Sequence, residues 1–493
     1  MQRVRRFVKL LVGALLLLPA LGLVALGPRT SRSVPPGRVV VTYWEKWTDF
    51  EGAAMQRLCR LFNNTVGAQQ GIYVDYVTTT QIDLKTLVAT SGGDPPDLAG
   101  LWPQNISSFA AKNALQALDA RAAKAGIDGA KIIPVYYEQC RYHDHLYGLP
   151  LTPWSLALYY NKDLFAQYGS ALAQAGYDAD RPPRTLDELM GYCQVLQRRN
   201  ARGEYDMMGF LPSVPEMVGW YWNTWGLWAG GSFTDPQTHL ARVDSPAFIR
   251  GYEWVRDFTR AFGQRDVLRF EASLANFNSP DNPFMRGKLA MMLQGPWFAN
   301  MIRQYGPDIH YGVAPFPTAD GSEISFCGQD VLVIPTGARH ADQAWAFIEW
   351  LYASAPVLVP SGGAEPEFGY EYCVVQTPQG PQRRPMPPLR PIEWICWNHY
   401  KNGPLVEPAP AFLETHPNPG IAIHERVARS PLAQADPPLP NWFAILNEFM
   451  AAYRDIWAGA ADVRTRLEAC QQRIDVLVDI ATREQQRYGD RYP

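Results

Sequence analysis

Trp44, Trp47 and Asp49 in one short stretch, and Trp102, Gln104 and Asn105 in another, set flat apolar rings beside short polar side chains. An indole face stacks on the C–H face of a sugar ring, and neighbouring amides or carboxylates hydrogen-bond its hydroxyls. Gly295-Pro296-Trp297 adds a further ring next to a glycine, where the backbone can come close to a ligand. Trp220, Trp222, Trp225 and Trp228 put four indoles into nine residues, more than a core ordinarily needs, although Trp222, Trp225 and Trp228 also fit one helical face. Metal chemistry finds no such support. His143-Asp144-His145 reads as the turn of a hairpin, and the seven cysteines lie far apart with no CxxC pair. No metal, cofactor or catalytic residue is expected.

These residues need strand ends to hold them. Arg38–Trp44, Ile72–Val77 and Asp97–Leu101 read as buried strands. Between them lie a helix capped by Asp49 and running to Asn64, with Met55, Leu58, Leu61 and Phe62 at helical spacing, and a shorter one from Thr80 to Ala89. Such alternation predicts a mainly parallel sheet with helices on both faces. Ligands of open α/β sheets lie beyond the carboxyl ends of the strands, where Trp44, Trp47, Asp49, Trp102, Gln104 and Asn105 all fall.

Residues 148–165 divide the chain. Pro150 and Pro153 keep the stretch extended, Leu156 and Leu158 alternate with small residues, and Asn161 is suited to cap the helix that follows. A strand carrying Trp154, Tyr159 and Tyr160 therefore crosses between two α/β halves. In the second half, Thr185 and Glu188 form a capping box on a helix from Arg184 to Arg198. Further helices are expected over Pro246–Phe262, Asn282–Ala290 and Pro296–Tyr305, with a strand at Met291–Leu293. Strands over Ile309–Pro317 and Val331–Ile334 precede an amphipathic helix, Ala341–Ala353. Residues 354–440 are rich in Pro, Gly and aromatics with weak periodicity and read as an insertion; two helices close the chain.

A chain of 493 residues, 47% hydrophobic and 19% charged, is soluble, globular and long enough for two or three domains. Arg3, Arg5, Arg6 and Lys9 precede a Leu-rich run from Leu10 to Gly27, the pattern of an export signal. Pro28 disfavours cleavage after Gly27, and the run is long enough to span a bilayer, so a cleaved signal and an uncleaved N-terminal anchor both remain open. No cysteine follows the run to carry a lipid. The remainder belongs outside the cytoplasm. Six basic and no acidic residues lie in positions 1–32, so the rest carries a net charge of −9, against nucleic acid as a partner and in favour of a neutral ligand.

Four ordered stretches resemble the extracellular solute-binding proteins of carbohydrate ABC importers, the maltodextrin-binding type. They are Pro96-Asp97-Leu98 with Trp102; Leu158-Tyr-Tyr-Asn-Lys-Asp-Leu-Phe165; Phe284-Met-Arg-Gly-Lys-Leu-Ala-Met-Met-Leu-Gln-Gly-Pro-Trp297; and Tyr311-Gly-Val-Ala-Pro-Phe-Pro317 with Gly328. The resemblance implies a two-lobed periplasmic-binding-protein fold, type II-like, each lobe a mainly parallel sheet flanked by helices and the two joined by a hinge. It implies residues 1–37 as signal or anchor with a linker, 38–152 and 328–440 as one lobe, and 153–327 and 441–493 as the other. Trp102, Trp154, Trp297 and Trp442 become cleft aromatics, with Trp47, Asp49, Gln104, Asn105, Glu216, Trp220, Gly328 and Gln329 around them. Trp154 stands where the maltodextrin binder has an acidic contact, and Gln329 replaces the second glycine of a pair. The implied partners are a saccharide and importer permease subunits, the chain itself being a monomer.

Two other functions use similar residues. An exported glycoside hydrolase would need two carboxylates across a scissile bond, for which Asp49 and Glu216 are the available pair. An anchored receptor feeding a sensor would have the same fold and site.

Overall fold

The computed structural model describes residues 34–213, 220–235, 237–274, 279–353, 355–357, 372–377, 380–385, 387–459 and 462–489. The N-terminal Leu-rich run and Glu216 lie outside the described residues.

Two hydrophobic cores organise the chain. The first gathers β1 (Val39–Glu45), α1 (Asp49–Asn64), β2 (Ile72–Thr78), α2 (Ile82–Ser91), β3 (Leu98–Leu101), α3 (Gln104–Ala110) and β4 (Leu149–Pro150). The chain leaves through β5 (Trp154–Ser155). It builds the second core from β6 (Ala157–Asn161), α4 (Lys162–Gln167), α5 (Leu186–Val195), α6 (Pro246–Phe262), β7 (Met291–Gln294), α7 (Phe298–Tyr305) and β8 (Tyr311–Ala314). It returns through β9 (Ser325–Gly328) to β10 (Val331–Val333), α8 (Ala341–Ala353) and α9 (Pro391–Asn398) in the first core. After α10 (Ile421–Ala428) and β11 (Ala433–Gln434) it crosses a third time, into α11 (Trp442–Trp457) and α12 (Val463–Gly489) of the second.

The first sheet has the order β2-β1-β3-β10-β4. β1 runs parallel to β2 and β3, whereas β10 is antiparallel to β3 and β4. Val41 and Tyr43 point inward from β1, and Met55, Leu58 and Phe62 of α1 cover that face. Burying a side chain of this size contributes about 1.5–3 kcal/mol. The second sheet departs from the expected parallel pairing: β7 and β8 both lie antiparallel to β6. β6 carries the chain away from the first core and β8 carries it back, so strands that use one crossing must run in opposite directions. A short three-stranded sheet, β11-β9-β5, lies at the crossings themselves.

Local signals account for several boundaries. Asn161 Oδ1 accepts from Leu164 N at 3.0 Å, and Thr185 Oγ1 from Glu188 N at 3.0 Å, as N-caps should. The Glu188 carboxylate takes Arg184 N at 2.7 Å, pairs with Arg181 and also meets the Thr185 backbone N–H. Asp49 does not cap α1. It is the helix's first residue, with φ 48°, and Thr48 at the N-cap makes no side-chain capping bond. Asn282–Ala290 forms successive turns rather than a helix, with Asn282 Oδ1 taking Phe284 N at 2.9 Å. His143 and Asp144, both at positive φ, make the expected hairpin turn. The described part of 354–440 is no appendage: Leu389, Ile392, Trp394, Trp397 and Phe412 are buried in the first core.

Cys59, Cys140, Cys193, Cys327, Cys396 and Cys470 form no disulfide, and among the described residues no His/Cys/Asp/Glu group has metal-site geometry and no helix is long and apolar enough to cross a membrane.

Candidate functional site

β1 delivers Glu45, Lys46 and Trp47 to the end of the first sheet. The Glu45 carboxylate is buried and accepts from Tyr43 Oη (2.8 Å), Lys46 N (2.8 Å) and Lys46 Nζ (3.2 Å). Gly100 on β3 makes room for it, since a Cβ there would lie 1.7 Å from Glu45 Oε2. β10 runs antiparallel to β3 in the register Val331↔Leu101, so Asp330, just before β10, emerges at the same end. Asp330 pairs with Lys46 at 2.8 Å and with Lys401 at 3.1 Å. Lys401 also donates to Thr152 Oγ1 at 3.2 Å and lies 3.5 Å from Glu51. Burial alone would raise the Asp330 carboxyl, but Lys401 and Lys46 hold it well below the usual carboxylate range. Both lysines, despite burial, are held above theirs by Asp330. Burial dominates at Glu45, whose carboxyl is raised.

Aromatic rings lie against this ion cluster. Lys46 Nζ is 5.0 Å from the centre of the Trp102 ring and 5.5 Å from that of Trp47, and Lys401 Nζ is 5.7 Å from Trp47, all within cation–π range. Trp102 is 39% exposed, a large indole left open beside a charge.

The second sheet contributes rings through its register. β7 pairs with β6 as Gln294↔Ala157, so Trp154, three residues before Ala157, and Trp297, three after Gln294, come to one end. Their ring centres are 5.7 Å apart with planes at 85°, an edge-to-face pair. Gly328 on β9 pairs with Trp154, and a Cβ there would lie 2.2 Å from the indole, so the ring rests on the glycine. Trp297 folds back on Gly295 in the same way, again 2.2 Å from where a Cβ would be.

The expected site residues thus separate. Trp154, Trp297 and Gly328 meet one another. Trp47 and Trp102 meet around Lys46, with Trp47 buried and edge-on to His399 at 4.6 Å. Asp49 is exposed beside Thr48. Gln104 reaches the Asp436 carboxylate, a group that burial pushes up to about 6. Three of the expected contacts are buried with internal partners. Asn105 is buried, and its Oδ1 accepts from Trp102 N at 3.2 Å, fixing the loop that bears Trp102. Gln329 is buried and donates to Tyr136 O at 2.7 Å. Trp442 is buried in the second core, 5.3 Å from the Phe233 ring. Trp220 opens the short helix Trp220–Asn223, with its side chain outside the described residues. Trp225 and Trp228 are fully buried, so this part of the tryptophan-rich stretch is core.

Lys46, Glu51, Thr152, Asp330 and Lys401 were not anticipated. Lys46 lies between Trp44 and Trp47, a charge among indoles, which was the available signal. Lys401 comes from an aperiodic stretch and carried none.

The family model for the bacterial extracellular solute-binding protein matches residues 53–357. The chain belongs to that family. The maltotriose-binding protein of Pyrococcus abyssi is 24% identical over 334 residues, 65% of this chain and 64% of the relative. The chain therefore aligns with less than two thirds of that relative's length. Among solved structures, CpMnBP1 with mannobiose bound has a TM-score of 0.67 at 23% identity, covering 89% of this chain and 100% of that one. The maltose/maltodextrin-binding domain of Bdellovibrio bacteriovorus, bound to maltotriose, has a TM-score of 0.65 at 14% identity, covering 90% and 100%. These likenesses show the fold: two α/β lobes joined by a hinge, as in periplasmic binding proteins. The family is one of solute-binding proteins rather than enzymes, and its extracellular character agrees with the extracytoplasmic location expected from the sequence.

Proposed function

We propose that this protein captures a neutral sugar or oligosaccharide between its lobes and delivers it to the permease of an ABC importer. Residues 38–152 with 328–440 form one lobe and 153–327 with 441–493 the other. The N-terminal Leu-rich run exports the chain and either leaves or anchors it, and the lobes work outside the cytoplasm as a monomer. The observation that carries the reading is the placing of rings at both ends of the hinge strands. Trp154 rests on Gly328 and meets Trp297 edge to face, and two residues on, in the link from β9 to β10, Asp330 pairs with Lys46, which lies over the exposed Trp102. The rings supply stacking faces, and the balanced ion cluster supplies fixed donors and acceptors for hydroxyls without demanding a charged ligand. Lobe closure about β5, β9 and β11 then reports occupancy.

Maltotriose and mannobiose are the first probes for calorimetry, followed by longer oligomers. Trp297→Ala should weaken binding about tenfold, the loss of one stacked indole of roughly 1 kcal/mol or more. The sugar should be recovered uncut after long incubation. Unchanged affinity in the variant would remove Trp297 from the site, and cleavage products would point to a hydrolase.

A further inference from the structure

Residues 399–418 join the two lobes at a point no expected site residue occupies. α9 ends at Asn398, and the next three side chains diverge. His399 sets its ring edge against Trp47, and its Nε2 lies 3.1 Å from Glu51 O. Lys401 enters the Asp330 cluster. Between them Tyr400 adopts φ 61°, a left-handed conformation that costs a bulky residue about 1–3 kcal/mol and persists only where its surroundings fix it. Its ring lies 5.8 Å from the guanidinium of Arg303, on α7 of the second core.

Asn418 fixes this turn from below and is itself almost completely buried. Its Nδ2 donates to Tyr400 O at 3.3 Å and to Pro296 O at 3.0 Å, one on each side of the cleft, and its side chain also hydrogen-bonds the Tyr159 hydroxyl. Its Oδ1 accepts from Gly420 N at 2.8 Å. Its backbone N donates to His416 Nδ1 at 3.1 Å, and His416 Nε2 lies 3.1 Å from Lys401 O, which closes the loop on the ion cluster. Pro296 is the residue before Trp297. Its carbonyl also accepts from Ala299 N at 3.2 Å and so belongs to the first turn that aims the indole.

We propose that Asn418 is a positioning residue for Trp297, tying the carbonyl before that ring to the strained Tyr400 turn of the opposite lobe. The stretch 399–418 is thereby a working part of the ligand site beyond the charge that Lys401 brings to the ion cluster. The inference rests on the proposed saccharide function only for its affinity readout.

A double-mutant cycle with maltotriose tests it. Asn418→Ala should weaken binding by about tenfold, the scale of losing shared buried hydrogen bonds. Trp297→Ala with Asn418→Ala should bind no worse than Trp297→Ala alone, because the one acts through the other. Additive losses would overturn the proposal. A ligand-free measurement separates it from the function: in protein labelled with 5-fluorotryptophan, the ¹⁹F resonance assigned to Trp297 should shift or broaden in Asn418→Ala, and an unmoved resonance would overturn the proposal. If neither sugar binds the wild type while the resonance moves, the function fails and the positioning role stands. Asn418→Asp, of the same shape but without the amide donors, replaces the alanine variant if that does not fold.

Discussion

At the ends of its strands the first lobe buries Lys401, Asp330 and Glu45 and half-buries Lys46 among them, whereas the second lobe brings Trp154 edge-on to Trp297. The two ends meet a ligand with different chemistry. Buried charges hold one another at fixed separations, because any loosening exposes an uncompensated ion to a low-dielectric interior. Rings resting on glycines meet a sugar through flat faces that a small tilt can adjust. The first lobe is thus the rigid reference and the second the adaptable surface. Removing the shared counter-charge breaks that comparison most directly. Asp330→Asn leaves two ammoniums facing a neutral amide, and should cost about 3–5 kcal/mol of stability in urea unfolding. A loss under 1 kcal/mol would mean that the cluster is hydrated and not a rigid reference.

The legible part of this design was what local periodicity carries. Val41 and Tyr43 alternate inward, Met55, Leu58 and Phe62 repeat at helical spacing, and Asn161 and Thr185 cap helices as their types require. Resemblance fixes the order of Trp154 and Trp297 along the chain, and β7–β6 register brings the two rings together. The ion cluster was not legible. Lys46, Asp330 and Lys401 are far apart in sequence and meet only once three separate crossings are folded, and nothing in a single stretch marks a lysine that will be buried. The surroundings of Trp442 were not legible either, since a ring's position in the chain does not say which of its neighbours will cover it. Here α11 turns it toward Phe233 and Phe449.

A smaller effect tests the adaptable half. Gly328→Ala places a methyl 2.2 Å from the Trp154 ring, too close to keep without moving the indole. Over-packing of this kind costs about 1–3 kcal/mol. Because Trp154 also supports Trp297, sugar affinity should fall with stability, both measured on the same sample by calorimetry and thermal unfolding. A variant that loses stability but binds as before would show that the Trp154–Trp297 pair can re-form elsewhere, and that the ring surface is more adaptable still.

The smallest effect lies where the halves join. His424, on α10, places Nδ1 2.9 Å from Ser155 O and Nε2 3.0 Å from Tyr159 Oη, and burial lowers its pKa to about 4. Between pH 6.5 and 4 the unfolded chain therefore holds a proton on this group that the folded chain does not, so its contribution to stability is intact above pH 6.5 and lost as pH falls toward 4. The slope is about 1.4 kcal/mol per pH unit. His399 and His416, lowered by burial to about 4 and about 3, act in the same sense, while the raised carboxyls of Glu45, Glu425 and Asp436 act in the opposite one. These groups are common to wild type and His424→Gln, so subtracting the two stability–pH curves isolates His424. The wild type should lose stability more steeply by that slope across the window, whatever constant offset the lost hydrogen bonds impose. Parallel curves would mean that His424 is already charged in the folded hinge, which would make the junction between the lobes a second site of buried charge.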